Sequence, residues 1–367
     1  FDPYFKVKDY CKKNNVHVFS ANFKLYGDMS SRVMETLKEF SSEIEVYSID
    51  EAFINLSHVP SHRLEEYAED IRNTILKNTG IPVSIGISRT KTLAKLAQEF
   101  SKKMKNGVKI LLSEEEQTKI LASSDVSEIW GIGKNLSKTL LDLGVNTALQ
   151  FRDMDTAIVR KYLKLSGQKL QHELKGISCF DIEQMHDAKK NIAVTRSFSS
   201  PVYKIEEMEN IISEYSARAC TKMRKQNSIT NAVYVYVRTS IFDYNKKYIS
   251  STIEYLDSYS CETPDIVKAA KKGLHRIFKA GYGYKKAGIV LLSLADEGAK
   301  QLSFEDLNNI SSSNDKSISK VVDSINKKFS SNVVFFLSQG IKQDWKGNSQ
   351  YKSKEFTTNW KDLMVVK

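Results

Sequence analysis

Long apolar runs are missing from this sequence. None approaches the ~20 residues needed to cross a bilayer, and no signal-peptide pattern opens the chain, which predicts a soluble protein with no membrane association. Cysteine is scarce as well. Cys11, Cys179, Cys220 and Cys261 lie far apart, with neither the paired Cys-x-x-Cys spacing of a metal or redox site nor the density of a secreted disulfide scaffold. A reducing cytosol suits that usage. No internal repeat is evident. An initiating methionine is also absent: the chain opens Phe1-Asp2-Pro3-Tyr4, residues that read like the interior of a domain, so the start of that domain is expected to be missing.

What is present is length and positive charge. The 367 residues leave room for about two to four compact domains at ~100 to 150 residues each. Lysine and arginine total 55 against 44 acidic residues, a net charge of +11, which suits a polyanionic partner such as nucleic acid.

Periodicity orders the rest. Met29, Val33, Leu37 and Phe40 recur every three to four residues and predict a helix over 28–40, with a second over 62–78. Between them, 45–56 is rich in β-branched and aromatic residues, and the apolar run 81–88 is bounded by Gly80; both predict strands. Strand and helix alternating to about residue 106 indicate helices packed on one sheet. Residues 114–185 hold little β-forming sequence and several short helical patterns punctuated by glycine, a small all-helical module. Beyond it, 189–294 reads as a second α/β unit, with helices over 206–226 and 264–280 and strands over 229–239, 248–256 and 285–294. The serine-rich stretch 308–319 predicts a linker.

Within Tyr47-Ser-Ile-Asp-Glu-Ala-Phe53 two carboxylates, Asp50 and Glu51, stand side by side in a segment that otherwise favours a buried strand or hairpin. Burying both is costly without a cation, and Mg²⁺ is suited because it takes carboxylate oxygens and leaves room for water and substrate phosphates. Two such ions ~4 Å apart would serve phosphoryl transfer. On these residues alone, a solvent-exposed Asp-Glu at a hairpin tip is the simpler reading. A helix over 90–102 would put Leu93, Leu96, Ala97 and Phe100 on one face and Lys91, Lys95 and Lys102 on the other. Residues 86–112 carry seven basic residues against one acidic, a net of +6. That lysine ridge fits either a metal-bound triphosphate or a plain solvated face. Trp130-Gly-Ile-Gly-Lys134, followed by leucines at helical spacing and by Leu143-Gly-Val145, has the form of a helix-hairpin-helix, whose backbone amides at a helix start suit a DNA phosphate. Val233, Val235 and Val237 alternate with Tyr234, Tyr236 and Arg238. Residues 190–297 hold 17 basic and 11 acidic side chains, a net of +6, so the polar face of this strand can also track phosphates.

Tyr47–Phe53, Gly86-Ile-Ser-Arg-Thr-Lys-Thr-Leu-Ala-Lys-Leu-Ala97 and Trp130-Gly-Ile-Gly133, in this order, resemble Y-family DNA polymerases. Phe19-Ser-Ala-Asn22, Tyr26-Gly-Asp-Met-Ser30, Thr195-Arg-Ser-Phe198 and the tail segments Phe336-Leu-Ser-Gln-Gly-Ile341 and Leu363-Met-Val-Val-Lys367 resemble that family's UmuC branch. The resemblance spans essentially the whole chain. It implies an α+β multidomain protein: a partial ferredoxin-like palm (1–121), an all-α helix-hairpin-helix thumb (122–186), an α/β little finger with helices on one face of a sheet (187–297) and a UmuC-type C-terminal tail (298–367). Asp50 and Glu51 match the family's catalytic, metal-binding carboxylates, for two Mg²⁺ ions. Lys102 matches the lysine that meets the incoming nucleotide's triphosphate. Gly131, Gly133 and Lys134 match the phosphate-contacting hairpin, and Arg196 falls where the little finger approaches the template. The implied activity is error-prone translesion DNA synthesis in SOS mutagenesis on primer-template DNA and deoxynucleotide triphosphates. Implied partners are a processed UmuD dimer, RecA and the sliding clamp, in the bacterial cytoplasm at the nucleoid. Gln301, Leu302 and Phe304 resemble a clamp-docking peptide, with Glu305 where a second bulky apolar residue is usual. The family's first catalytic aspartate belongs upstream of Phe1. The chain alone is therefore expected not to polymerise, and a non-catalytic DNA-binding scaffold is the alternative.

Overall fold

The computed structural model describes residues 2–183, 188–243, 246–299, 317–329, 332–341, 345, 347 and 351–364. Two compact units emerge: Phe1–His186 together with Tyr351–Lys367, and Asp187–Gln350.

The first unit opens with helix α1 (Tyr4–Lys13), which buries none of its residues. Helix α2 (Phe23–Leu37) begins ahead of the expected Asp28 because the Asn22 side chain caps it, accepting from the Leu25 amide. It buries Val33 against Ile71 and Ile75 of α3 (Leu64–Thr79), which ends on Gly80 in the left-handed conformation, φ +73°. Strands β1 (Ile44–Val46) and β2 (Ala52–Ile54) form an antiparallel hairpin. Strand β3 (Ile85–Ser88) runs parallel to β4 (Val108–Leu111), with α4 (Lys91–Ser101) as the crossover. The expected single sheet is thus two two-stranded pieces. They are held together through α3: Leu64 and Ala68 pack on Ile87 and Val108, while Ile71 and Ile75 meet Ile54 and Val83. Instead of pairing with each other, β2 and β3 both line a cavity of about 820 Å³.

Four helices follow: α5 (Glu114–Ser123), α6 (Lys134–Asp142), α7 (Ala148–Asp153) and α8 (Thr156–Leu174), the last broken at Lys164. Their buried Leu121, Leu140, Phe151, Leu163 and Leu174 share one apolar cluster with Leu93, Leu96 and Ala97 of α4. The apolar stripe of α4 therefore belongs to the helical module as much as to the strands.

In the second unit, β5 (Ile192–Val202), β6 (Ser228–Thr239), β7 (Ile249–Ser260) and β8 (Tyr284–Leu292) form an antiparallel sheet in the order β5-β8-β6-β7, and β9 (Ala295–Asp296) pairs with the start of β6. Helices α9 (Ile205–Lys225) and α10 (Thr263–Ile277) cover one face, over Val233, Val235, Val237, Ile289 and Leu291. The tail adds to this core. The expected linker ends at Ser317, which caps α11 (Ile318–Lys328), while 308–316 lie outside the described residues. Asp323 of α11 pairs with the nearly buried Arg224 of α9 at 2.7 Å. Trp345 packs its ring on Phe198 and Tyr215, and Gln339 bonds to Glu214.

A Cβ added at Gly86 would lie 2.2 Å from the Gln98 amide nitrogen and 2.3 Å from the Ala94 carbonyl oxygen. Both are backbone atoms of α4 and cannot step aside. Gly86→Ala should therefore cost about 3 kcal/mol, read as a lowered urea midpoint for the first unit with the second unit's transition unchanged.

Candidate active site

The β1–β2 hairpin presents the two adjacent carboxylates. Its register sets Glu45 opposite Phe53 and Val46 opposite Ala52, and the Tyr47 and Ser48 amides both donate to the Glu51 carbonyl at 3.0 Å to close the turn. Asp50 sits exposed at the tip, its carboxylate accepting from the Ser48 hydroxyl at 2.5 Å. The exposed hairpin tip, the simpler of the two readings of these residues, is what forms: polar turn bonding carries Asp50 out into water and leaves Glu51 half-buried beside it. Both line the 820 Å³ cavity, together with Lys95 and the inner faces of α2 and β3.

The expected lysine ridge is also corrected. Lys91 and Lys95 are one turn apart on α4, and both are used by the hairpin. Lys95 Nζ binds Glu51 Oε1 at 2.7 Å. Lys91 is buried, as is Glu45, and the two form an ion pair. Lys91 also donates to the Asp181 carbonyl at 2.5 Å and lies 5.1 Å from the centre of the Phe53 ring, while Glu45 accepts from the Glu183 amide at 2.7 Å. Register explains the grouping, because Glu45 and Phe53 are cross-strand partners on one face. Lys102 stands at the C-cap of α4, half exposed and paired with Glu99 at 2.7 Å, and is not among the residues lining the cavity. Lys95 is the α4 lysine brought to the carboxylate pair.

The N-terminus of α4 is fixed from behind. Fully buried Glu173, at the end of α8, accepts from the Thr92 amide at 3.0 Å and the Cys179 amide at 2.6 Å, while its carbonyl accepts from the Thr90 hydroxyl at 2.9 Å. Sequence reading missed Glu45 and Glu173. A carboxylate within an apolar run was the available signal for Glu45; Glu173 offered none.

Trp130 joins this hairpin to the next. Its ring meets Tyr47, Phe53 and Phe180 edge-on at 5.6, 5.8 and 5.6 Å, contacts worth about 0.5–1.5 kcal/mol each beyond their area. Gly131 then takes φ +89°, packed against Leu170, and Gly133 opens α6 with no side-chain cap and free space where a Cβ would stand. Lys134, Ser137, Lys138 and Leu141 flank a shallow groove of about 500 Å³ there. Gly144 at φ +78° turns the chain into α7, whose Thr147 and Gln150 form a capping box. Gly131, Gly133 and Lys134 are thereby brought to one helix start, tied through Trp130 to the carboxylate hairpin.

In the second unit, cross-strand register sorts side chains by face. Tyr236 pairs with Gly288 and Gly288 with Thr195; Arg238 pairs with Lys286. These share the face opposite the helices, with the Tyr234 and Tyr236 rings 6.1 Å apart. Gly288 keeps that face flat, since a Cβ would lie 2.6 Å from both Thr195 and Tyr236. Arg196 pairs instead with buried Ala287, itself opposite Val237, so it belongs to the helix-side row of Ile192, Val194 and Phe198. It is exposed all the same, on the edge strand β5. Gln301, Leu302 and Phe304 lie outside the described residues.

Among the described residues, no three His, Cys, Asp or Glu side chains are grouped to hold a metal. Asp50 and Glu51 supply hard oxygen donors on the rim of a cavity, which fits part of the shell of a divalent cation that keeps water and substrate oxygens.

Residues 1–99 match the impB/mucB/samB family and residues 189–304 the impB/mucB/samB family C-terminal domain; residues 316–366 match a domain of unknown function (DUF4113). Protein UmuC of Salmonella typhimurium is 37% identical over 371 residues, covering 100% of this chain and 88% of its own length. Protein ImpB of Salmonella typhimurium is 32% identical, covering 100% and 87%. DNA polymerase IV of Clostridium acetobutylicum is 28% identical, covering 87% and 78%. Among solved structures, a Y-family DNA polymerase chimera of Dbh and Dpo4 superimposes with a TM-score of 0.59 at 22% identity, over 75% of this chain and 78% of that one.

Removing one partner of the buried pair should be severe. Lys91→Met leaves Glu45 as an uncompensated buried charge and should cost about 3–5 kcal/mol, and adding Glu45→Gln should recover part of the loss. Urea unfolding of the two variants checks this.

Proposed function

Because the chain belongs to the impB/mucB/samB family of Y-family DNA polymerases, we propose that Asp50 and Glu51 are its metal-binding catalytic carboxylates and that its work is template-directed nucleotidyl transfer across damaged DNA. The observation that supports this most is the pairing of a carboxylate-bearing hairpin tip on a cavity with a Gly-x-Gly helix start, joined by Trp130. In the reaction, the primer's 3′ oxygen forms a bond to the α-phosphorus of a deoxynucleotide triphosphate, the bond to the bridging oxygen breaks, and pyrophosphate leaves. Two Mg²⁺ ions, when bound, would supply activation of the attacking oxygen and charge neutralisation at the leaving one. Asp50 and Glu51 hold that charge at the tip, Ser48 orients Asp50, and Lys95 adds a cation at the same rim. Lys102, exposed at the end of α4, is assigned to the triphosphate tail by family resemblance.

DNA is held through its backbone. The α6 start with Gly131, Gly133 and Lys134 suits one phosphate, since amides at a helix N-terminus favour an anion. On the second unit, we assign the tracking surface to the flat face carrying Tyr234, Tyr236, Arg238 and Lys286, with Arg196 at the sheet's edge. The proposed domains are the palm, thumb, little finger and tail with the boundaries read from sequence. A processed UmuD dimer, RecA and the sliding clamp are the proposed partners, the last through Gln301, Leu302 and Phe304, at the bacterial nucleoid. No helix among the described residues is long and apolar enough to cross a membrane.

Primer extension with Mg²⁺ by the full-length protein tests the reading. Asp50→Asn and Glu51→Gln should each lower extension by about 10³-fold or more while leaving primer-template affinity within about threefold. If the wild type binds primer-template and extends nothing, the catalytic assignment fails and a DNA-binding scaffold replaces it. Lys286→Glu should weaken DNA binding of every sequence alike and reduce the slope of log affinity against log salt by about 1, measured by fluorescence anisotropy.

A further inference from the structure

The family's tail domain has no assigned function, and its end returns to the first unit. Residues 351–364 lie along the entrance to α2. Ser20 donates its amide to the Tyr351 carbonyl at 2.9 Å and bridges to Lys352 as a parallel strand pair. Asn22 is fully buried and works in two directions. Its Oδ1 caps α2, while its Nδ2 donates to the Ser353 carbonyl and hydroxyl, both at 3.1 Å, and to the Lys354 carbonyl at 3.3 Å. Lys24 pairs with Glu355 at 3.3 Å. Asp28, one turn on, is hydrogen-bonded by Thr357 and by Arg32, which holds its carboxyl below the usual range. The segment is also braced internally: the Glu355 amide donates to Asp362 at 2.9 Å, and the Asn359 side chain bonds the same carboxylate at 3.2 Å.

These contacts fall on Ser20, Asn22, Lys24 and Asp28, around one helix start, and are made by one stretch of the tail. A single exposed ion pair contributes little to stability. A buried asparagine is different, because its amide protons lose their acceptors if the segment leaves. The other end of α2 carries Val33 and Met34, which line the cavity that also holds Asp50 and Glu51. We propose that residues 351–362 are an intramolecular strap: α2 is their docking surface, and docking stiffens the helix that walls the carboxylate cavity. That gives the last part of the domain of unknown function a task, the coupling of the tail to the catalytic unit. The assignment does not depend on which reaction the cavity supports.

Hydrogen exchange of the Tyr26–Asp28 amides in the full chain reads strap docking directly, without any activity assay. Glu355→Lys places a like charge against Lys24 and should speed their exchange about fivefold, and the charge swap Lys24→Glu with Glu355→Lys should restore protection. A chain ending at 350 should lose at least about tenfold of that protection. Recovery in the swapped pair separates docking from general loss of stability. If Tyr26–Asp28 exchange at the wild-type rate both in Glu355→Lys and in the shortened chain, the strap does not hold α2 and the proposal is overturned.

Discussion

One buried ion pair organises the candidate site. Lys91 at the first turn of α4 and Glu45 on β1 neutralise each other out of water, and each spends its remaining hydrogen-bonding capacity on the backbone of the segment following α8, at Asp181 and Glu183. Such a pair contributes little net stability against an apolar replacement. What it does supply is uniqueness of position. A hairpin with strands three residues long has few ladder bonds with which to hold its own register. Lys91 pins the face carrying Glu45 and Phe53 to the start of α4, and Lys95 pins the tip through Glu51. Glu173 fixes that helix start from the opposite side. The carboxylates stand where they do because a helix grips the strands beneath them.

The sequence made the larger elements legible and the polar contacts between them obscure. Helices α4, α9 and α10 were readable because each buries a stripe at helical spacing, and β6 because its valines alternate with polar residues. Helix α1 buries nothing and left no stripe. Strand β4 is four residues long and carries a lysine between its apolar positions, too little for a pattern. The carboxylate pair is visible as a pair and its exposed tip is the simpler reading of the sequence, although apolar neighbours at 47, 49 and 53 favour burial; the turn's own hydrogen bonds decide for the tip. Lys91 looked like a solvated face because its partner lies 46 positions away. Long-range polar pairs leave no local trace.

A similar lesson applies to Arg196. The family resemblance sets Arg196 near the template strand, and register decides which of a strand's two faces it occupies. Two aligned rows show the faces: Thr195, Gly288 and Tyr236 on one side, Arg196, Ala287 and Val237 on the other. Missing side-chain volume at Gly288 then matters as much as any charge, because the neighbouring tyrosine and threonine close over the space where a side chain would stand.

The return of the tail to the first unit also bears on how the protein is made. Asn22 leaves the ribosome well before its acceptors at Ser353 and Lys354, which lie 331 and 332 positions later. Chains emerge at roughly 5–20 residues per second and generally fold domain by domain from the N-terminus. The second unit, one continuous stretch of chain over 187–350, can complete itself during synthesis. The first cannot: a nascent chain carries a finished second unit while the start of α2 still waits for its closing segment. Asn22 reaches its Ser353 acceptor only after 331 further residues have been made.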